Sequence, residues 1–285
     1  MSDAEGFLAR LSRTRHGATG FFILAVLLLA AIFSPLIAPF DAVRQVGSSL
    51  MPPSWRHPMG TDNIGRDLFS LVIYGSRASL AIGICAAFAA LLVGGTVGVL
   101  AGYRRGIAEA VLMRLAELFQ TLPVIIVVLF AIALFGTSFW LLITAVALAI
   151  WPLEARLIYG QFVNLREREF VAAAVVADLP TGHIIFREIL PNALPPVIVQ
   201  VALDASLAIL IESGLGFLGL SDANMVSWGQ LLFVAQDYLD QAWWMSVFPG
   251  AAICAAVIGL NMLADGLNEV VNPRATQRAA GGLPG

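Results

Sequence analysis

From Ala78 to Gly102 the chain carries no charged side chain, and from Leu118 to Leu153 it again carries none. Roughly 20 apolar residues in helical form cross the hydrocarbon core of a bilayer, where a helix satisfies all of its own backbone hydrogen bonds. The rest of the 285 residues agrees: 59% are hydrophobic and 12% charged, about half the charged share of an ordinary soluble domain. Such a composition excludes a disordered chain and argues against a soluble globular enzyme. It predicts an all-α, polytopic membrane protein.

Six transmembrane helices are expected, at about Phe21–Pro39, Ala78–Gly102, Met113–Phe135, Phe139–Tyr159, Ala193–Ile211 and Gln241–Ala264. The uncharged run from Leu118 to Leu153 is too long for one crossing, and Gly136, Thr137 and Ser138 mark a tight turn between two. Six crossings leave both termini on one side, and the arginines choose which. Twelve fall on the side of the termini, in the tails (Arg10, Arg13, Arg15, Arg274, Arg278), the 103–118 connection and the long connection after the fourth span. Four, Arg44, Arg56, Arg66 and Arg77, lie opposite. Both termini are therefore expected in the cytoplasm, with Trp243 and Trp244 at the outer interface. The basic head before the first span also resembles a signal peptide. The apolar run is long and further spans follow, however, which favours an uncleaved first span.

Several chemistries are missing. The formal net charge of −3 offers no basic field for nucleic acid. All 16 basic residues are arginine, so the Walker A lysine is absent and the chain does not hydrolyse ATP by that route. Cys85 and Cys254 lie in apolar stretches and are expected as packing residues, with neither a disulfide framework nor metal spacing. His16, His57 and His183 are scattered, without HExxH, and there is no G-x-S-x-G elbow. No catalytic, metal or cofactor site is expected.

Two connections are more than linkers. In the outer one, 41–77, Pro52 and Pro53 force an extended path. The N-cap residues Thr61, Asp62 and Asn63 then precede Ile64, Leu68, Leu71 and Val72 at helical spacing. Either a short amphipathic helix lies along the membrane here, or a long tilted second span begins. The other connection, Gly160–Leu190, is much longer than most helix connections in bundles. Its alanine-rich centre, 167–177, is expected to be helical, Pro180 and Gly182 to break it, and Ile184–Leu190 to form a second amphipathic piece. Small side chains on one face would let such a helix dock into a partner's groove. A solvated loop on the membrane surface is the alternative.

Charges inside spans are candidates for function. Asp204 and Glu212, eight residues apart, point about 80° apart on one helix, so both can face the bundle interior. Asp204 is expected either to line a pathway, favouring a cationic or amino-bearing solute, or to pair with a polar group on a partner. Glu154 and Arg156 are too close in sequence to face each other, so each needs another partner. Asn261 and Asp265 can share one helix face.

Glu169 to Asn192 resembles the EAA loop of ABC-importer permeases. That loop has a Glu-Ala-Ala core, a glycine four residues after its last alanine, and an Ile-Leu-Pro ending. The matching positions are Ala172, Ala173 and Ala174, then Asp178, then Ile189, Leu190 and Pro191, so the glutamate and the glycine are replaced. Aspartate tolerates left-handed backbone better than most residues, which would preserve the turn. Three further stretches are similar to the dipeptide/oligopeptide/nickel branch of that family. The first runs from His57-Pro58-Met59-Gly60-Thr61-Asp62 through Gly65-Arg66-Asp67 to Tyr74–Leu80. The second is Glu212 with Gly216-Phe217-Leu218-Gly219-Leu220 and Ser227-Trp228-Gly229. The third is Asn261, Asp265-Gly266-Leu267 and Asn272-Pro273-Arg274.

The resemblance implies a type I importer permease fold. A tail (1–20), a first span with its outer segment (21–77), a core permease domain (78–270, coupling loop about 160–190) and a second tail (271–285) would make up the chain. It also implies a second, homologous permease, two ATPase subunits that carry ATP and Mg, and an extracytoplasmic binding protein, all at the bacterial inner membrane. The helix around Phe170–Ala177 would couple to the ATPases, and Glu212 would be structural near the outer end. The transported solute would be a peptide, with nickel chelates, glutathione-like peptides, opines and sugars as alternatives. Two rival readings are a secondary transporter, which would show inverted repeats, and an intramembrane aspartyl protease using Asp204 and Asp265. No internal repeat is visible, and Asp265 falls at a membrane boundary.

Overall fold

The computed structural model describes Leu11, residues 14–222 and residues 224–271. The tail arginines Arg10, Arg13, Arg274 and Arg278, the Asn272-Pro273 pair and the 271–285 tail beyond Val271 lie outside the described residues. Among these described residues ten helices follow in order, besides a 3-10 turn at Gln236–Tyr238: α1 (Arg15–Ile32), α2 (Ser34–Ile37), α3 (Leu68–Arg104), α4 (Ile107–Thr121) and α5 (Val124–Phe135), then α6 (Phe139–Arg166), α7 (Glu169–Val176), α8 (Thr181–Phe217), α9 (Trp228–Ala235) and α10 (Trp244–Val271). Among the described residues there is no strand, and two isolated bridges, Gln45–Arg66 and Thr61–Asp67, are the β-type pairing present.

Side-chain oxygens start the main helices. Thr14 accepts from Gly17 N for α1, Asp67 from Ser70 N for α3, Ser138 from Leu141 N for α6, and Ser227 from Gln230 N for α9. Each satisfies a backbone donor that the first turn leaves free. The centre of the bundle is the α3–α6 pair. Gly94, Gly98 and Gly102 recur every fourth residue and turn one bare stripe of α3 toward α6. A Cβ at Gly94 would stand 2.4 Å from Trp151 O, and one at Gly98 2.6 Å from Ala155 O, so the backbones touch. α8 packs on α3, α6 and α10, and α10 packs along α1. At the α1–α10 crossing, Gly266 meets the Gly17 backbone.

Among the described residues five helices are long and apolar enough to cross a membrane, and a sixth crossing exists if α4 and α5 count as one. The expected third span is therefore not a single rod. Pro123 supplies no N–H and Leu122 is extended (ψ 130°), so the chain bends by 87° between α4 and α5. The twelve residues of α5 are about 18 Å long, short of the roughly 30 Å hydrocarbon core. The turn at Gly136 is as expected, with φ +82°.

Other expectations are corrected. The second span begins at Leu68 and runs unbroken for 37 residues, so the long-helix alternative holds and no separate amphipathic helix forms in 61–67. Its cap is Asp67 rather than Thr61, Asp62 or Asn63. Ile64 is exposed before the helix, while Leu68, Leu71 and Val72 are core. Cys85 and Cys254 are exposed on the outer faces of α3 and α10 rather than packed inside. Trp243 is exposed, but Trp244 is buried and donates Nε1 to Thr61 O at 3.1 Å.

The stripe makes a sharp prediction. Gly94→Ala drives a methyl group into a carbonyl oxygen that cannot move without the whole of α6, and is expected to cost about 1–3 kcal/mol. Gly95→Ala, whose nearest neighbours are side-chain carbons at 3.5 and 3.8 Å, is expected to be neutral or to gain up to about 1 kcal/mol of helix propensity. Thermal melts of the two variants in detergent check this.

Candidate functional site

The arginine-rich connections converge at one end of the bundle. Arg105 Nη2 pairs with Glu167 Oε1 at 3.2 Å and Arg166 Nη1 donates to Tyr103 O, which ties the end of α3 to the end of α6. Next to this junction sits α7. Glu169 in its first turn complements the helix dipole. Val171 and Ala174 are buried against Phe162 of α6 and Ile184 and Ile189 of α8, so the helix is fixed to both neighbours. Its other face is open: Phe170 and Val175 are exposed, Val176 is 88% exposed, and Ala172 and Ala173 form a flat exposed patch between them.

The end of α7 explains how the loop keeps its shape without the glycine. Asp178 takes φ +55°. Leu179 N donates to Ala174 O at 3.2 Å and Asp178 N to Val175 O at 3.0 Å, the two bonds of a Schellman cap. Leu179 and Ala174 meet in the same apolar cluster, which is the contact that usually accompanies such a cap. Pro180 follows and cannot continue the helix. Gly182, expected as part of the break, instead lies in the first turn of α8. The expected amphipathic piece Ile184–Leu190 is a π turn over Ile184–Ile189, continuous with α8, in which Leu190 N reaches back to Ile185 O. Pro191 has no N–H to give at this point, and Asn192 Nδ2 donates to Glu188 O at 2.7 Å.

The coupling residues expected from the resemblance therefore fall into two sets. Phe170, Ala172, Ala173 and Asp178 are at the surface. Ala174 and Ile189 are buried, with Leu190 half-buried, and Pro191 is exposed at the start of the regular α-helix. The second set holds the joint between α7 and α8.

Asp204 and Glu212 both face the bundle interior, as their spacing allows, and both are closed off from solvent. Asp204 Oδ1 accepts from Gln200 Nε2 at 2.8 Å, while its second oxygen and both oxygens of the buried Glu154 on α6 have no hydrogen-bond partner in the protein. The complete burial of Glu154 escapes sequence reasoning, whose one signal was a glutamate inside an apolar span. Arg156 finds its partner in Gln120 Oε1 at 2.7 Å. Glu212 accepts from Ser79 Oγ at 3.1 Å, and Ser79 Oγ in turn accepts from Trp228 N. Trp228 is wholly buried and donates Nε1 to Val72 O at 2.9 Å, so the Ser-Trp-Gly motif wedges α9 against α3 and α8. A Cβ on Gly216 would meet Gly229 at 2.8 Å, which is why both positions are glycine. Asn261 Nδ2 donates to Ser206 Oγ at 3.0 Å, while Asp265 is exposed.

At the opposite end, residues 41–67 fold into a ledge. His57 Nδ1 pairs with Asp67 Oδ1 at 2.8 Å, both buried, while Asp67 Oδ2 caps α3. Asp62 holds Arg66 through Nε at 2.6 Å and through its backbone N–H at 2.8 Å. Gly60 (φ +78°) sits against the Trp244 ring, where any Cβ would clash. A cleft of about 570 Å³ opens between α4 and α6 at the α7 end, lined among others by Glu109, Arg114, Arg156 and Tyr159. Among the described residues no group of three or more His, Cys, Asp or Glu is placed to hold a metal.

Residues 94–277 match the family described as binding-protein-dependent transport system inner membrane component. The chain belongs to that family. Residues 5–53 of this permease also match the N-terminal TM domain of oligopeptide transport permease C. It is 36% identical to the dipeptide transport system permease protein DppC of Alkalihalophilus pseudofirmus, over 93% of this chain and 88% of that protein. It is 36% identical to the probable D,D-dipeptide transport system permease protein DdpC of Escherichia coli K12, over 90% and 87%. Its fold matches a chain of the inward-facing MetNI methionine ABC transporter with a TM-score of 0.60 at 19% identity, covering 72% of this chain and 97% of that one. The permease is thus a multi-pass membrane protein with an ABC-importer permease fold.

The cap of α7 can be tested directly. Asp178→Val places a β-branched side chain in left-handed backbone and is expected to cost about 1–2 kcal/mol, whereas Asp178→Gly relieves the strain. Amide hydrogen exchange across Ala173–Leu179 should speed up in the first variant and slow in the second.

Proposed function

We propose that this permease is one of two homologous membrane subunits of an ATP-driven importer in the bacterial inner membrane, carrying peptides released by an extracytoplasmic binding protein. ATP and Mg are held by two separate ATPase subunits, on which the open face of α7 docks. The observation that carries this reading is the two-sided character of α7. One face is locked into α6 and α8, and the other presents Phe170 with alanines and valines to the outside, where the flat Ala172–Ala173 patch lets a groove approach closely.

The distribution of arginines supports a cytoplasmic position for α7 and for both termini. Closure of the ATPase dimer would then press α7 inward, and α6 and α8 would follow because the Schellman cap and the buried Val171, Ala174 and Ile189 leave no slack. The spans would move largely as rigid bodies. ATP shifts the equilibrium between inward- and outward-facing states only through different affinity for the two. Relatives named as dipeptide permeases support peptides as the cargo.

Ala173→Trp adds bulk on the open face and is expected to lower ATP-driven uptake of a dipeptide by at least about tenfold, equivalent to ~1.4 kcal/mol of lost docking, with membrane insertion and melting unchanged. Ala174→Trp adds the same bulk on the buried face and should lower the melting temperature instead. Uptake by proteoliposomes holding the permeases, ATPases and binding protein separates the two. Normal transport by Ala173→Trp, or uphill transport driven by an ion gradient without ATP, would sink this assignment.

A further inference from the structure

At the end of the bundle opposite α7, four oxygen-bearing side chains border a cavity of about 10 Å³, room for one water-sized body. They are Glu212 near the end of α8, Ser221 and Asp222 in the connection that follows, and Ser227 at the cap of α9; Ile82 and Leu142 add hydrocarbon walls. Glu212 is 1% exposed. Its Oε2 accepts from Ser79 Oγ at 3.1 Å and from Ser213 Oγ at 3.4 Å. Its Oε1 receives no hydrogen bond from the protein, and Ser221 Oγ, equally closed off from solvent, makes none. Ser221 Oγ is held against the backbone of Gly216, where a Cβ would stand 2.8 Å from it.

The charges around the cavity do not balance. Asp222 is compensated within the protein. Its Oδ2 accepts from Phe139 N at 3.3 Å in the first turn of α6, where the helix dipole favours an anion, and its Oδ1 accepts from Asn224 N at 2.9 Å and Asn224 Nδ2 at 3.1 Å. Glu212 has hydroxyl partners, and among the described residues it forms no salt bridge. On α3, Arg77 is exposed, and Ser79 is the side chain that reaches the carboxyl. The stretch 139–153 of α6, the 219–227 connection, α9 and α10 contain no basic residue. An ionised Glu212 therefore finds no counter-charge among its protein neighbours.

A carboxyl group enclosed in this way is stable with a proton or with a cation. A proton would leave a water-sized gap among the oxygens, whereas hard cations are held by oxygen ligands of this kind. We propose that Glu212, Ser221, Asp222 and Ser227 bind one sodium ion. The single uncompensated carboxylate calls for a single positive charge, and room for one water suits sodium better than the larger potassium. The ion would tie the end of α8 to the connection leading into α9. Through Asp222 the tie reaches the first turn of α6, and through the Ser79–Glu212 bond it reaches α3. Sodium is a fixed part of the fold here, so the site is independent of the transported solute and of the energy source for transport.

The test uses the full-length permease in its transporter complex, in lipid nanodiscs, at one pH and constant ionic strength, with N-methylglucamine chloride exchanged stepwise for sodium chloride. Amide hydrogen exchange across residues 212–230 should slow as sodium rises. Above the dissociation constant the slowing should grow about tenfold for each tenfold of sodium, as expected for an ion that binds the closed state alone. Ser221→Ala removes one ligand and should raise the sodium concentration at half effect by at least about tenfold. Glu212→Gln should abolish the response; if that variant does not fold, Ser221→Ala carries the comparison. Equal exchange in sodium and in N-methylglucamine would overturn the proposal and leave the cavity to water or the carboxyl to a proton. So would an unchanged half-effect concentration in Ser221→Ala, which would put the ion elsewhere, or a response to potassium or calcium in place of sodium. Exchange is read without ATP or peptide, so the result stands apart from the transport assignment.

Discussion

Contact between the backbones of α3 and α6 is the constraint on which the remaining structure depends. Glycines at 94, 98 and 102 let the two helices approach until carbonyl oxygens of α6 fill the space a side chain would take. In a bilayer, lipid tails are as apolar as leucine, so helices gain little from hiding apolar surface from one another and much from close packing. With α3 and α6 joined in this way, the elements around them have fixed seats. α8 lies across both, and α7 is held at the end of α6 between that helix and the π turn of α8. At the far end, the buried Trp228 and the Ser79–Glu212 bond secure α9 to α3 and α8.

Much of this was legible in the sequence, for physical reasons. Long stretches without charge have one stable home, so five of the six spans could be placed with errors confined to their ends, the third being broken in its middle. The short helix α7 was legible because alanine-rich sequence between arginine-rich flanks and a proline favours such a helix. Asp178 could be read as a left-handed turn residue even though the familiar glycine is missing, because its short polar side chain tolerates that backbone.

The rest depends on contacts between residues far apart in the chain. Pro123 lies in the middle of an uncharged stretch, where hydropathy alone cannot distinguish a kink from a right-angle break. Asp67 won the cap of α3 over three equally good candidates because His57, ten residues earlier, folds back onto its other oxygen. Trp244 looked like an interfacial indole, yet its N–H is taken by Thr61 O, 183 positions away. Cys85 and Cys254 fall on outward faces because the glycine stripe decides which side of α3 faces in, and α1 decides it for α10. The burial of Glu154 is of the same kind: it is the single acidic residue of α6, and nothing local to it announces that it faces Gly94 of α3.

The unbroken length of α3 has a mechanical consequence. Its 37 residues make a rod of about 55 Å, fixed at one end in the ledge by Asp67 and tied at the other, through Arg105, to the approach of α7. A rotation of about 5° about the ledge would carry the far tip through about 5 Å, close to the pitch of one helical turn. Small angular play at the ledge is thereby magnified into a displacement the size of a side chain at the α7 end, and the reverse stroke is geared down by the same ratio.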